Sequence, residues 1–432
     1  IANIMINTFR LNQKDFSEKI IYFLIIFLPI TLVTGPFLSD FSVSLIALLF
    51  LYISFKKKLY LYYQNIYSKL FGIFFVLLLI TSILSIDPLM SLKKTTVYFR
   101  FWIFALAVWH ILSIKKDLIK HLATSFTFIF IILILDGYIQ FFFKENIFGW
   151  PMTGARLSGL FKDELILGSY LSRLLPIFFA MLVYTNFEKK TYQYLLFFII
   201  FVGAETLTFL TGERVAFFYI NFSSLFLILA MKNYKLFRGL SIITSIIIIF
   251  FLVNLYPKST ERIITTTVTQ LQITTDEGAK NLIPKKVFSI EHQNLYITSL
   301  RIFNDHKILG AGPRMYRYLC VEKKYYIEDA GGSCSTHPHN TYIQLLAETG
   351  LIVFIFSFGI FLTLFYSITK HLFFKFTSKK IIFNDFQLCL LSAILISMWP
   401  FIPTGDFFNN WLNIIYFFPV GFFLSSINKS NN

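Results

Sequence analysis

The stretch Ser335-Thr-His-Pro-His-Asn-Thr-Tyr-Ile-Gln-Leu-Leu-Ala-Glu-Thr-Gly350 runs without a break into Leu351-Ile-Val-Phe-Ile-Phe. Two histidines, a proline and an asparagine therefore stand where an apolar segment, residues 342–369, begins. That segment exceeds the roughly 20 residues needed to cross about 30 Å of hydrocarbon. Its reading decides the fold, because a polar cluster at the mouth of a membrane span belongs to a surface where water, headgroups and protein meet.

Working outward, apolar runs of similar length recur at residues 18–35, 38–55, 69–86, 95–113, 121–143, 166–184, 193–211, 214–231, 238–256, 382–401 and 409–426. With 342–369 they give about twelve spans, an all-α polytopic membrane protein. Composition agrees: 56% of residues are hydrophobic, 19% aromatic and only 14% charged, with 55 Phe, far more than a water-soluble core of this length requires. The first run, Ile20 to Val33, continues into Thr34-Gly-Pro-Phe and another apolar run. It is expected to stay as a helix and not to be removed as a signal peptide.

The net charge of +16 is explained by orientation. Arg10, Lys14 and Lys19 precede or open the first run, and alternate short loops carry Lys56-Lys57-Lys58, Lys115-Lys116, Lys189-Lys190, Lys232 with Lys235 and Arg238, and Lys370 with Lys375, Lys379 and Lys380. Basic residues concentrated in short loops on one side mark that side as cytoplasmic, so both termini are expected there and no nucleic-acid partner is needed. The other side holds a medium loop near residues 143–165 and one long segment, residues 257–339, between spans nine and ten. The chain then divides into spans one to nine over 1–256, an external subdomain over 257–339, and spans ten to twelve over 340–432. The Thr-rich run from Ile263 to Leu271 reads as an amphipathic helix at the interface.

Ionisable groups at membrane depth are costly and tend to be functional. Arg100, Asp136, Arg173, Glu205, Glu213 and Arg214 form this set, with internal ion pairs as the competing reading for Asp136, Arg173 and Glu205. Arg214 follows Thr211-Gly-Glu at an outer turn, and Arg is the natural bidentate partner of phosphate oxygens. Arg156, in Gly154-Ala-Arg-Leu-Ser-Gly159, and Arg301 with Gly310-Ala-Gly-Pro-Arg314 add outer basic residues. Gly310-Ala-Gly312 is too short for a nucleotide-binding signature and reads as a turn. Several outer arginines beside an aromatic-rich bundle fit a ligand with an anionic head and a lipid tail, such as a polyprenyl pyrophosphate.

For the histidines three readings stand. They cap the helix; or they ligate a metal with His306, Glu328 or Asp329, although no closely spaced third ligand of the usual kind is visible; or one is a general base. A helix N-terminus disfavours imidazolium and keeps a neutral acceptor available, which favours the base. Glu328-Asp329 reads as a solvated loop tip.

His339-Asn340 with Glu348 and Gly350 downstream resembles the signature of the O-antigen ligase family, within the superfamily that includes O-antigen polymerases. Arg156-Leu-Ser-Gly-Leu-Phe with Gly168-Ser-Tyr, Thr211-Gly-Glu-Arg214, and Arg301 ahead of Gly310-Ala-Gly312 are similar in order and side. The resemblance implies a GT-C-like membrane glycosyltransferase needing no cofactor and no metal. It would move a preassembled glycan from undecaprenyl pyrophosphate to a sugar hydroxyl of lipid A core, inverting the anomeric centre, at the periplasmic face of a bacterial inner membrane. By the same resemblance His339 is the base and Arg214 and Arg301 hold the diphosphate with Arg156 as a helper, while His337, Asn340, Glu348 and Arg314 are expected as supporting neighbours. An O-antigen polymerase using the same donor is the near alternative, and a transporter or flippase of lipid-linked glycans the distant one. In an oxidising periplasm Cys320 and Cys334 are expected to pair, a bridge worth about 3 kcal/mol in the chain-entropy picture.

Overall fold

The computed structural model describes residues 16–185, 187, 189–270, 288–327 and 333–428. Arg10, Lys14, Leu271, Glu328 and Asp329, all invoked above, lie outside these. A helix stands at each of the twelve apolar segments: α1 (Phe16–Thr31), α2 (Pro36–Lys57), α3 (Ile66–Ile83), α4 with α5 (Pro88–Thr95, Phe99–Ile114), α6 (Leu118–Phe143), α7 (Leu167–Tyr184), α8 (Lys190–Leu210), α9 (Arg214–Ala230), α10 (Lys235–Leu255), and, beyond an extramembrane helix α11 (Ile290–Asp305), α12 (Thr341–Thr377), α13 (Asp385–Ser397) and α14 (Asn410–Asn428). No strand occurs among the described residues. In hydrocarbon the backbone must satisfy its own hydrogen bonds, and segments apolar on every face do so as helices. By length and composition nine candidate spans are found among the described residues, with α9 and α13 shorter apolar helices. The chain is thus an all-α polytopic membrane protein.

α7 is the central post. Nearly all of its residues are buried, and it packs against α8, α9, α6 and α13, while α14 packs along α5 and α2 along α1. α10 and most of α12 turn apolar side chains outward, as lipid-facing helices do. Of the charges at membrane depth, Arg100 pairs with Asp40 at 2.6 Å, whereas Asp136 accepts from the Ile147 amide at 3.0 Å and so shapes the 144–166 loop.

Two elements differ from the hydropathy reading. The span expected at 342–369 is broken. Gly350 (φ 72, ψ −173) interrupts α12, so residues 341–349 form a short, buried arm and the outward-facing helix starts after it. The helix begins at Thr341 with Asn340 as its N-cap, which leaves Pro338 outside its first turn. The span expected at 382–401 is also shorter: α13 has 13 residues, about 20 Å at 1.5 Å per residue, and residues 398–409 then form a loop instead of more helix.

That loop meets the others at one end of the bundle. The Trp411 indole donates to Leu32 O at 3.0 Å, Asn340 Nδ2 to Pro400 O at 2.8 Å, and Arg262 Nε to Gly212 O at 3.1 Å. The lysine-rich turns gather at the opposite end, where Lys57 pairs with Glu18, Asp385 accepts from the Lys232 and Asn233 amides, and Lys375 binds Met231 O.

The Gly310-Ala-Gly312 stretch is more than a turn. Its backbone lies against the arm: the Ala311 amide donates to Ala347 O at 3.0 Å, Gly312 to Glu348 O at 2.8 Å and Leu351 to Lys307 O at 2.9 Å. On its other side the Ile86 amide donates to Ala311 O and Ser91 Oγ to Pro313 O. Glycine is required for this approach, because a Cβ at Gly310 would lie 2.3 Å from the Glu348 carbonyl carbon.

Candidate functional site

The arm is fixed before any chemistry is considered. Asn340 caps it, its side-chain oxygen accepting from the Tyr342 and Ile343 amides at 3.0 and 3.1 Å. The Thr341 amide donates to Thr404 Oγ1 and the Thr404 amide to His339 O, both at 2.8 Å. His339 is thereby held with a positive φ of 56°, a conformation that non-glycine residues adopt only when their surroundings impose it. Glu348 accepts from the Tyr316 amide at 3.1 Å and from Gln344 Nε2 at 3.0 Å, and Gln344 also donates to Asp406 at 2.7 Å. Glu348 and Asn340 therefore support the geometry of the arm.

Three histidines meet above it. The rings of His337 and His339 lie 4.0 Å apart, and His292, from the first turn of α11, stands perpendicular to His339 at 5.6 Å. His292 Nδ1 is 2.7 Å from Ser289 Oγ, the helix cap. Thr336 Oγ1 is 3.0 Å from His337 Nδ1, leaving His337 Nε2 buried with no partner. Burial holds the His339 imidazole below its ordinary pKa. Burial and then His339 push His337 down to about 4. Burial, His339 and Arg214 lower His292. At neutral pH these rings are uncharged proton acceptors.

Beside His292 lies a group of arginines. Arg214 Nη1 donates to Gln270 Oε1 at 2.6 Å, and Arg262 and Arg156 both pack on Gly212, where a Cβ would sit 3.1 Å from Arg262 Cδ and 3.7 Å from Arg156 Cγ. Arg156 feels the repulsion of Arg262 and Arg214 and the attraction of Glu213, and its Nε is buried without a partner. Glu213 is otherwise engaged: it accepts from the Gly168 and Ser169 amides at 2.7 and 3.0 Å, capping α7. Burial pushes its carboxyl up to about 7 against the pull of those amides and Arg156. Three guanidinium groups facing the half-committed Glu213 and Glu291, which attracts Arg214, leave net positive charge, a setting for a polyanion.

The structure brings Arg214, Arg156, His337, His339 and Asn340 to the same end of the bundle. Arg301 is placed differently. It is exposed, it donates to Tyr325 O and Tyr326 O at 3.3 and 3.0 Å, and it stands nine residues beyond His292 on α11, about 13 Å along the axis. Arg314 adopts a φ of 67° beside Lys94, with its Nε buried and unpartnered. Cys320 and Cys334 are joined by a disulfide with their Cα atoms 5.2 Å apart, which ties the segment leading into His337 to the short helix Tyr316–Leu319. Among the described residues no three His, Cys, Asp or Glu side chains are arranged to hold a metal ion.

His292, Arg262, Thr404 and Asp406 were not singled out in the sequence. His292 lies on the polar side of an amphipathic helix whose docking position the sequence does not disclose. Arg262 had one available signal, a basic residue on the side that the sorting of charge leaves poor in them.

Comparison with protein-family models matches residues 195–358 to O-antigen ligase. No curated protein matches the chain. The matched region contains Arg214, Arg262, His292, the Gly310-Ala-Gly312 stretch, His339 and Gly350, and over it the chain is similar to the O-antigen ligase family.

Proposed function

We propose that the chain transfers a preassembled glycan from undecaprenyl pyrophosphate to a sugar hydroxyl of lipid A core, at the periplasmic face of a bacterial inner membrane. The observation that carries this reading is a neutral, backbone-locked His339 linked through His292 to a cluster of arginines in net positive excess, at the end of the bundle away from the lysine-rich turns. The disulfide supports an oxidising exterior for that end, and the lysine-rich turns support a cytoplasmic location for the other.

In the proposed reaction His339 takes the proton of the acceptor hydroxyl, and the oxygen attacks the anomeric carbon as the bond from that carbon to the phosphate oxygen breaks. The electron pair leaves with the diphosphate, where Arg214, Arg262 and Arg156 offset the growing charge. A glycosyl diphosphate already has a good leaving group, so one base and charge stabilisation suffice without an acid–base carboxylate pair, and a single displacement inverts the centre. Arg301, first grouped with the diphosphate ligands, is assigned instead to holding the Tyr325–Tyr326 backbone.

The polymerase alternative shares the donor and differs in acceptor. Purified chain supplied with polyprenyl-pyrophosphate glycan and lipid A core, without nucleotide, should yield core carrying glycan, read as a mass increase of the core lipid. Elongated lipid-linked glycan with unmodified core would contradict the ligase assignment.

A further inference from the structure

Arg173 lies on α7, six residues beyond Leu167, about 9 Å inward from the helix start. It is 3% exposed. Its guanidinium stacks on the Tyr219 ring at 4.5 Å and faces the Tyr416 ring at 5.6 Å, with Nη1 3.5 Å from Tyr416 Oη. Its Nε has no hydrogen-bond partner. No carboxylate forms an ion pair with it among the described residues. The one carboxylate whose field reaches it, after the Tyr416 and Tyr219 phenols, is Glu213, which is spent on the α7 amides.

A buried guanidinium at membrane depth without a carboxylate is expensive. Two aromatic faces offset part of that cost and leave the charge in place. A structural staple of this kind would be served as well by a neutral side chain, so the retained charge points to an anion that arrives from outside. The route is defined by the helices. Tyr219 is five residues into α9 and Tyr416 six into α14, so three helix N-terminal halves, each favouring negative charge, converge on Arg173 from the end that carries the arginine and histidine clusters. Asn294 Nδ2, two residues beyond His292, is likewise buried without a partner.

We propose that Arg173 is a second, deeper anion subsite that takes the tail-side phosphate of a polyprenyl diphosphate, while Arg214, Arg262 and Arg156 take the glycosyl-side phosphate nearer the membrane surface. The order follows from the ligand: tail, phosphate, phosphate and glycan must be threaded outward from the bilayer, and the two cationic positions are stacked in that direction. The proposal rests on the donor assigned under the proposed function.

The test measures binding of undecaprenyl phosphate and undecaprenyl pyrophosphate to the purified full chain in lipid nanodiscs. A monophosphate lipid has only the tail-side phosphate, so Arg173→Gln should weaken both lipids, roughly 10- to 100-fold for one charge-assisted contact. Arg262→Ala should weaken the pyrophosphate and leave the monophosphate within about threefold. Undecaprenyl phosphate binding unchanged in Arg173→Gln would overturn the subsite. If that variant does not accumulate, Arg173→Lys keeps the charge and loses the planar fork; it should weaken both lipids severalfold, and unchanged affinity for both would again overturn the subsite. Wild-type protein that binds neither lipid would remove the donor assignment and this inference with it. Wild-type binding that Arg262→Ala weakens and Arg173→Gln does not would remove this inference alone.

Discussion

Replacing Gly350 by alanine should separate the two halves of the site. Gly350 has φ 72°, and an added Cβ would lie 2.2 Å from Ile308 O, 2.4 Å from Ile308 C and 2.5 Å from Gly310 N. All three atoms are backbone, so no side chain can swing aside. With ψ at −173° the backbone lies in a region open essentially to glycine alone, which costs an alanine on the order of 2 kcal/mol. Relieving the overlap moves the 307–312 segment off the arm and breaks the hydrogen bonds Leu351 to Lys307, Ala311 to Ala347 and Gly312 to Glu348, each worth about 1 kcal/mol net. The sum, about 4–5 kcal/mol, lies in the range reached only by specific structural lesions. Because this seam joins the arm bearing His339 to the segment that follows α11 and His292, a displacement of about 1 Å should lower glycan transfer roughly 100-fold. The assay pairs transfer by Gly350→Ala with its thermal unfolding in detergent. Gly359→Ala is the control, since a Cβ there meets nothing within 4 Å. Wild-type transfer and unfolding in Gly350→Ala would refute the packing argument.

Other outcomes follow from the same geometry. Transfer should be independent of pH above about 6.5 and fall on acidification, because the base must be neutral and His339 titrates below its ordinary value; a rate that rises as pH falls would count against a histidine base. Stability should decline over the same direction. The His337 pKa is lowered from 6.5 to about 4, so the unfolded chain binds more protons in that window, and stability present above 6.5 is lost as pH falls toward 4. His337→Asn should flatten this dependence in a pH series of thermal melts. Cys320→Ser should destabilise the outer segment by about 3 kcal/mol, read as faster proteolysis there, with the same effect in reduced wild type and no further effect of reductant on the variant. Arg262→Ala should raise the KM for the lipid-linked donor about tenfold with less change in KM for the acceptor, as expected for one lost charge-assisted contact.

The helical frame was legible because lipid imposes one rule, sustained apolarity, on every crossing segment. All twelve expected segments carry a helix. The departures arise where tertiary contacts decide. Gln344 and Glu348 fit a helix as readily as a buried arm, and only the close approach of Gly310 shows that Gly350 is a break. The shortness of α13 follows from the demand of Thr404 and Asp406 for the arm, which hydropathy does not register. Within the site, Arg214, Arg156 and His339 stood out as polar residues at an outer boundary. His292 and Arg262 stayed hidden, since they reach the site through the docking of α11 and of the turn before Thr265, contacts distant in sequence. Arg301 shows the converse: an outer arginine of suitable chemistry whose Nη1 donates to the Tyr325 and Tyr326 carbonyls, about 13 Å along α11 from His292.

The central claim is that a neutral His339 performs proton removal beside the arginine cluster. It is tested most directly by a single-turnover transfer assay with preloaded lipid-linked glycan and excess lipid A core, comparing wild type with His339→Gln at matched folding and matched donor binding. General-base catalysis contributes roughly 100- to 10,000-fold, so His339→Gln should bind donor normally and transfer at least about 100-fold more slowly at pH 7.5, with the acid limb of the wild-type pH profile lost. Transfer by His339→Gln within a few-fold of wild type, with the same pH profile, would contradict the account.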